Sequence, residues 1–433
     1  MFKKIASAVS SISGTPRNGT PEPPVLAGHH GPGRVKQYAQ LAKTLEDYGV
    51  PVATEDCAAC DSPCADGAAN GAGGAGTVAE IGNAWDGKTY EQYVHDKYGD
   101  FDEFPAAIDT DWESDLAGSG GPPVGRVVVI STGKSDWPRD HVDAQDSLSY
   151  QVNKVLSKQK GGGKNKKDGN PADPSTYVLN SAFPPPSTAL SGPIAPLPSL
   201  YSSCLISQAE DPEDETVLVF PDWKAVLEVE NSLEGAQGLW DGALSGSLGR
   251  AGQRLQNEGE GCNRRRSYVL PYRAIVLLCS HKRRDKRCSI AAPLLRSALV
   301  TCLTKHGIHV DETGSSLAVP ELGALEDLEG TEAEREAEVG RRISNIEGVH
   351  GGEGGEVGIF NINHLGGHRY AGVMLILFPS GAYLSYGRVT PQEIPRVVED
   401  TILKGKIVPG LLRSAAGVVR PGATAKENGF LAW

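Results

Sequence analysis

The chain has 433 residues, enough for two ordinary cores with linkers, and its 53 glycines, 29 prolines and 6% aromatic content describe a globular but loop-rich protein. A formal charge of −12 excludes non-specific binding to nucleic acid or to an anionic membrane as the main activity. No apolar run reaches the length of a bilayer span, and eight clustered cysteines read as metal ligands in a reducing, cytoplasmic setting rather than as a disulfide framework.

Residues 1–35 are rich in Ser, Pro and Gly and are expected to stay unpacked. The opening residues 1–12 contain no arginine, which favours a simple tail over a mitochondrial presequence. Residues 34–48 have helical spacing of apolar positions and stop at Gly49. Cys57, Cys60 and Cys64 follow; they are either part of a second metal site, completed by Cys204 or a histidine, or reducible surface thiols. The glycine run at 71–76 follows no strand, so it is not a phosphate cradle. Residues 126–130 form the first buried strand and lead into Ser131-Thr-Gly-Lys-Ser-Asp-Trp137. That stretch imitates the end of a phosphate-binding loop, but Val128 stands where the loop needs glycine. A helix over 143–156, a solvated basic insertion at 158–167, strands at 177–179 and 216–220, and a helix over 224–229 complete an N-terminal α/β domain at 36–235. A linker is expected at 236–265, with Cys262 in it.

The second domain spans 266–413. It opens with a strand at 273–278 and a helix at 289–305 whose apolar positions are Ile290, Leu294, Leu295, Leu299 and Leu303, with Cys302 as a core thiol. The acidic stretch 321–338 reads as an exposed insertion or helix. Strands at 355–361 and 370–378 flank a histidine loop, and Pro379-Ser-Gly381 turns the second into a hairpin with 382–386. Thr390-Pro-Gln-Glu393 carries the cap, the proline and the glutamate of a helix start, and that helix runs to Leu403. The fold class is α/β, and the order of elements in this second domain resembles a thioredoxin fold. Residues 414–433 are expected to form an extended tail.

The chemistry lies in two pairs. Cys279 and Cys288 bracket a basic loop (Ser-His-Lys-Arg-Arg-Asp-Lys-Arg) directly after a buried strand, and His364 and His368 bracket Leu-Gly-Gly directly after another. Two thiolates and two imidazoles leaving neighbouring strand ends form a metal-ligand set. Structural zinc sites usually pair their ligands across a shorter knuckle, whereas the wide cysteine spacing suits a [2Fe–2S] cluster with the histidines on one iron and the cysteines on the other. Zinc in the same four ligands, within a non-redox binding module, remains the alternative, and His281 is available as a substitute ligand. Two ferric ions, two sulfides, two thiolates and two neutral imidazoles sum to zero charge, so such a centre accepts an electron more readily than an all-cysteine one. Lys282, Arg283, Arg284, Lys286 and Arg287 push the same way. Protonation of the imidazoles would make the potential fall as pH rises. A nuclear-import or phosphate-binding role is the competing reading of the basic loop.

With these motifs, and with Ser131-Thr-Gly-Lys-Ser-Asp-Trp137 and His364-Leu-Gly-Gly-His-Arg-Tyr-Ala-Gly372, the chain resembles the sucrase/ferredoxin-like family from about Cys57 onward. The resemblance implies a C-terminal thioredoxin-like ferredoxin domain with a [2Fe–2S] cluster held by Cys279, Cys288, His364 and His368. It also implies a cytosolic electron-transfer protein whose donor and acceptor proteins are unknown; an iron–sulfur sensor is a further variant. No carboxylate pair points to glycoside hydrolysis. The end Leu431-Ala-Trp433 resembles the terminal tripeptide by which the cytosolic iron–sulfur assembly machinery recognises clients. Leu431 and Trp433 match, while Ala432 departs from the acidic residue or serine found in such tails; the other reading is an aromatic end tucked onto the domain.

Overall fold

The computed structural model describes residues 32–53, 88, 90–106, 108–112, 114–123, 125–159, 197–254, 265–318, 320–418 and 430–431. Its organising feature is one sheet of 11 strands. The strands are β1 Val127–Ser131, β2 Ser199–Ser203, β3 Asp214–Phe220, β4 Lys224–Glu230, β5 Arg266–Val269, β6 Ala274–Cys279, β7 His309–Asp311, β8 Glu356–Ile362, β9 Met374–Leu377, β10 Tyr383–Tyr386 and β11 Leu412–Ala416. Their spatial order is β11-β10-β9-β6-β8-β2-β1-β3-β4-β5, with β7 paired to β8. The two halves of the chain join where Ser203 of β2 pairs with Ile362 of β8.

Every residue of β1 is buried, as expected of a strand covered on both faces. On one face lies the helix α3 Leu148–Gln159, whose Leu148, Val152, Val155 and Leu156 pack against Val128, Ile130, Val217 and Val219. This helix starts later than the periodicity suggests: residues 141–143 form a single 3-10 turn, and the Ser147 hydroxyl accepts the Tyr150 N–H at 3.2 Å as the cap. Residues 216–220 lie within β3, as expected. The helix expected over 224–229 is instead β4, antiparallel to β3 with Lys224 opposite Val219 and Val226 opposite Val217. The β-branched Val226 and Val229 suit a pleated surface, and Phe220-Pro-Asp-Trp223 makes the turn that a hairpin requires. A buried ion pair anchors this turn. Asp222 accepts from Arg126 Nε at 3.0 and 3.1 Å and lies 3.2 Å from Lys224 Nζ.

Residues 233–239 form α4 (Leu233–Leu239), which runs into a π-helical turn at Trp240–Leu244, and both pack in the core of β1, β3 and β4. Only four residues join β5 to β6, although five other strands lie between them in the path of the sheet. The sheet must therefore curl until its β5 edge returns towards β6. Its concave face encloses a second core shared by both halves, with Trp223, Leu270, Tyr272, Leu277, Phe360 and Leu377 among its members.

Packing elsewhere follows the sheet rather than chain order. Helices α1 Pro32–Asp47 and α2 Tyr90–Tyr98 bury Leu45, Tyr90, Val94 and Tyr98 against β6, β9, β10 and the helix α5 Lys286–Lys305. On α2, Tyr93 donates to Glu399 at 2.7 Å, Lys97 at 2.9 Å, and Tyr98 donates to the same oxygen. Helix α5 buries Leu295, Leu299, Cys302 and Leu303, while Ile290 and Leu294 lie at its margin. The acidic stretch folds as α6 Glu332–Ser344 behind a full capping box between Thr331 and Glu334. Residues 391–403 are helical throughout, but Thr390 makes no side-chain cap bond. Among the described residues no helix is long and apolar enough to cross a membrane.

Candidate metal centre

Topology alone brings the cysteine pair and the histidine pair together. Strands β6 and β8 are parallel and in register, with Cys279 opposite Ile362, so both chains leave the sheet at the same edge. Residues 363–373 start at the end of β8 and re-enter the sheet as β9 on the far side of β6. The histidine loop must therefore arch over the end of β6, where Cys279 sits, and Cys279 N–H donates to the carbonyl of Val373 at 3.1 Å. The cysteine loop is shorter than expected, because α5 begins at Lys286. Asp285 caps it by accepting Arg287 N–H at 2.9 Å, which places Cys288 in the first helical turn. Cys288 therefore stands at the positive end of the α5 dipole.

The two thiols are 3% and 1% exposed and share an apolar pocket with Leu116, Tyr370 and Val373. The Cys288 thiol beside it holds the Cys279 sulfur well below the usual thiol value; burial opposes this, and His364 and the backbone of Leu365 assist. Cys288 is pushed up in turn, first by Cys279 and then by burial. The pair thus carries one negative charge easily and a second only with added positive charge. The His364 and His368 rings are 5.6 Å apart between centroids. His364 is half-buried, and its Nδ1 has no hydrogen-bond partner among the described residues, whereas His368 is exposed. Among the described residues no three His, Cys, Asp or Glu side chains are gathered to hold a metal ion. The donor set nonetheless fits the expected group in kind: two adjoining reduced sulfurs, two neighbouring imidazoles and an orphaned ring nitrogen.

The first half of the chain braces this edge through the Ser131–Trp137 motif. His281 is 1% exposed and donates from Nε2 to the carbonyl of Trp137 at 2.9 Å, with the two rings edge to face at 5.8 Å. Its other nitrogen is buried and unpartnered among the described residues. Arg283 N–H donates to Asp136 at 3.2 Å. Behind them, His141 bonds Ser202 at 2.9 Å, and Ser202 N–H donates to the side chain of Asn363, next to His364.

A model of the sucrase/ferredoxin-like family matches residues 118–414. The chain belongs to this family. The actin patches distal protein 1 of Saccharomyces cerevisiae is 30% identical over 132 residues, covering 30% of each chain. Proteins called altered inheritance of mitochondria protein 32 are 26% identical in Clavispora lusitaniae and 27% in Debaryomyces hansenii, over 142 residues in each case. These cover 33% and 32% of the present chain and 35% and 34% of those relatives. The chain thus spans about a third of the length of the curated relatives it matches. No solved structure matches it.

The sucrase/ferredoxin-like match takes in the cysteine pair, the histidine pair and the Ser131–Trp137 motif. Cys57, Cys60, Cys64, Cys262 and Trp433 lie outside the described residues. Cys204 accepts Asn361 N–H at 3.2 Å, and Cys302 is buried in α5. Leu431 packs against the C-terminal core, and the neighbouring Phe430 is buried against Phe378 with ring centroids 5.2 Å apart. Two contributors to the site carried no signal in the sequence. Leu116 closes the pocket over the thiols. Arg413 of β11 is 2% exposed, its charge is set opposite Cys279, and it donates to Ser119 and Ser385 at 3.3 and 3.2 Å. Burial lowers its pKa, but a guanidinium stays charged at neutral pH.

Arg413 explains the second of the two glycines in the histidine loop, Gly367. Gly366 and Gly367 have φ of 76° and 69°, and a Cβ at Gly367 would overlap the Arg413 guanidinium, with its Cζ at 2.8 Å. At Gly366 a Cβ would meet nothing within 4 Å. Gly366→Ala should therefore cost only the backbone strain, about 1–2 kcal/mol, and Gly367→Ala distinctly more; denaturant midpoints of the two variants measure the difference.

Burial holds His141 at about 4, with the His281 imidazole adding to the effect. Unfolding releases this imidazole to an ordinary value near ~6.5. The unfolded chain thus binds the extra proton between these limits, and stability must fall as pH drops through that window, by about 2–3 kcal/mol for this group. His141→Gln should flatten the dependence of the denaturant midpoint on pH between those two values.

Proposed function

We propose that this chain carries a [2Fe–2S] cluster on Cys279, Cys288, His364 and His368 and works as a one-electron carrier. The observation that carries the reading is the meeting of two adjoining reduced thiols with two neighbouring imidazoles at one sheet edge, reached from separate strands. The bound group would supply reversible one-electron chemistry. The chain supplies the surroundings. Leu116, Tyr370 and Val373 keep water from the sulfurs, the first turn of α5 and Arg413 favour negative charge there, and the half-buried to exposed imidazoles form the outward edge. A thioredoxin-like reading of this half is supported by the order β10-β9-β6-β8, with one parallel pair and α5 following β6. All four described cysteines are free thiols, which suits a reducing compartment such as the cytosol.

Visible and EPR spectra of the purified protein test the proposal. A red-brown protein that bleaches with dithionite and then gives an EPR signal is expected. A colourless protein holding stoichiometric zinc would establish the binding-module alternative instead. Loading in cells is proposed to use the C-terminal Leu431 and Trp433 as a docking signal for the assembly machinery. Trp433→Ala should then lower iron content in cells and leave the thermal transition in place; unchanged iron would remove the docking idea.

A further inference from the structure

The chain as a whole has a formal charge of −12, but cations outnumber anions on the two loops beside the site. The exposed cations Lys134, Arg139, Lys282, Arg283, Arg284 and Lys286 all belong to the two loops at the edge where the histidines emerge. These loops are fixed to each other. Besides the bonds of His281 and Arg283, Arg284 Nη1 donates to the carbonyl of Arg139 at 3.4 Å. Some of the charge is answered locally, since Asp136 pairs with Arg283 at 3.4 Å and Asp285 with Arg287 at 3.0 Å. Lys282, Arg284 and Lys286 form no ion pair among the described residues. Beside them, His368 and Arg369 are exposed, and Arg369 lies 3.6 Å from Asp111.

We propose that this basic rim around His368 is the docking surface for an acidic one-electron redox protein. The inference rests on the function proposed above and names the chemistry of the partner. Both thiols are buried, so the outward route for an electron leads through the imidazole edge, and the cysteine loop that carries most of these cations borders it, with its Asp285 close enough to His368 to feel its charge. In a protein that is acidic as a whole, a cationic patch fixed there steers an acidic partner to the one place where transfer is short. The exposed part of the cysteine loop is built of Lys, Arg and Asp without an aromatic platform for nucleic-acid bases or an apolar face for lipid, which favours a protein partner.

Stopped-flow oxidation of the dithionite-reduced, full-length protein tests the surface with two inorganic probes. One electron passes to one hexacyanoferrate(III), giving hexacyanoferrate(II), or to one hexaammineruthenium(III), giving the ruthenium(II) ion; no bond is made or broken. The rate with the anionic probe should fall as sodium chloride is added, and the rate with the cationic probe should rise. The triple variant Lys282→Glu, Arg284→Glu, Lys286→Glu should reverse both trends and slow the anionic probe by about tenfold or more, with iron content unchanged. Fluorescein-labelled decaglutamate, followed by anisotropy, should bind the parent protein and not the triple variant. An anionic-probe rate that rises with salt, as the net charge alone dictates, would overturn the proposal. So would tighter binding of phosphatidylserine vesicles or duplex RNA than of decaglutamate, or displacement of decaglutamate by micromolar phosphate at constant ionic strength. A protein without iron would overturn the reading beneath it as well, whereas an iron-loaded protein with the wrong salt dependence overturns the docking surface alone.

Discussion

Serine at Cys279 or at Cys288 should strip the protein of the iron and acid-labile sulfide of the proposed cluster, whereas cysteine at both His364 and His368 should keep that cluster and lower its potential. The first result follows from the pocket. Each sulfur is nearly inaccessible and sits beside the other, so no nearby solvent ligand can take over a lost position. Serine keeps the size of the side chain but is a poor ligand at neutral pH, and the surrounding Leu116, Tyr370 and Val373 offer no donor side chain in its place except the Tyr370 hydroxyl, which already donates to the carbonyl of Asp115 at 2.8 Å. The second result follows from charge. Exchanging two neutral imidazoles for two thiolates takes the oxidised centre from zero to minus two, and known centres separated by such an exchange differ by roughly 250 mV or more. Iron and sulfide analysis, followed by a dithionite titration monitored by EPR, measures both. Iron retained by the Cys279→Ser protein, or a potential that rises in the double histidine variant, would sink the ligand assignment. Arg413 and the α5 dipole remain in every variant, so the shift reports the ligands and not the surroundings.

The meeting of the cysteine pair and the histidine pair at one edge was legible because each pair follows a strand whose apolar run is unambiguous, Ala274–Leu278 and Val357–Phe360, and these strands are parallel neighbours that end at a common edge. The α/β class was legible for the same reason. What closes the site was not. Leu116 and Arg413 lie far from the cysteines in the chain and sit in stretches without periodicity, so nothing local marks them as neighbours of Cys279. The error over 224–229 has a different origin. Lys-Ala-Val-Leu-Glu-Val carries four helix formers and only two valines, and the hairpin wins through tertiary terms, including a lysine buried on Asp222. Tertiary context overriding propensity also placed α1 and α2 on the C-terminal strands, where Tyr93, Lys97 and Tyr98 converge on Glu399 from about 300 residues away.

Asp222→Ala should be the most destabilising single change in the first half of the sheet, by about 3–5 kcal/mol, because it leaves two buried cations facing one another. Arg126 is 3% exposed and Lys224 is fully buried; Arg126 also donates to the carbonyls of Ser245 and Leu248 at 3.0 and 2.7 Å, and Lys224 to that of Arg250 at 2.9 Å. These carbonyl bonds persist in the variant, but the only charge of opposite sign within ion-pair distance is gone among the described residues. Arginine cannot release its proton, so Lys224 must yield. Its pKa is already lowered by burial, with Asp222 the chief opposing influence, and loss of that carboxylate lowers it further. The unfolded chain then binds a proton that the folded one lacks, up to the ordinary lysine value near ~10.4. The stability of Asp222→Ala must therefore rise with pH across that range more steeply than that of the parent protein. Denaturant titrations of both proteins at neutral and alkaline pH measure this slope. Asp222→Asn, which keeps an acceptor but no charge, should fall between them. Because the turn stands at the other end of β1 from Ser131 and Trp137, iron per folded chain should stay the same in all three; a parallel loss of iron would show that the two halves of the sheet do not tolerate damage independently.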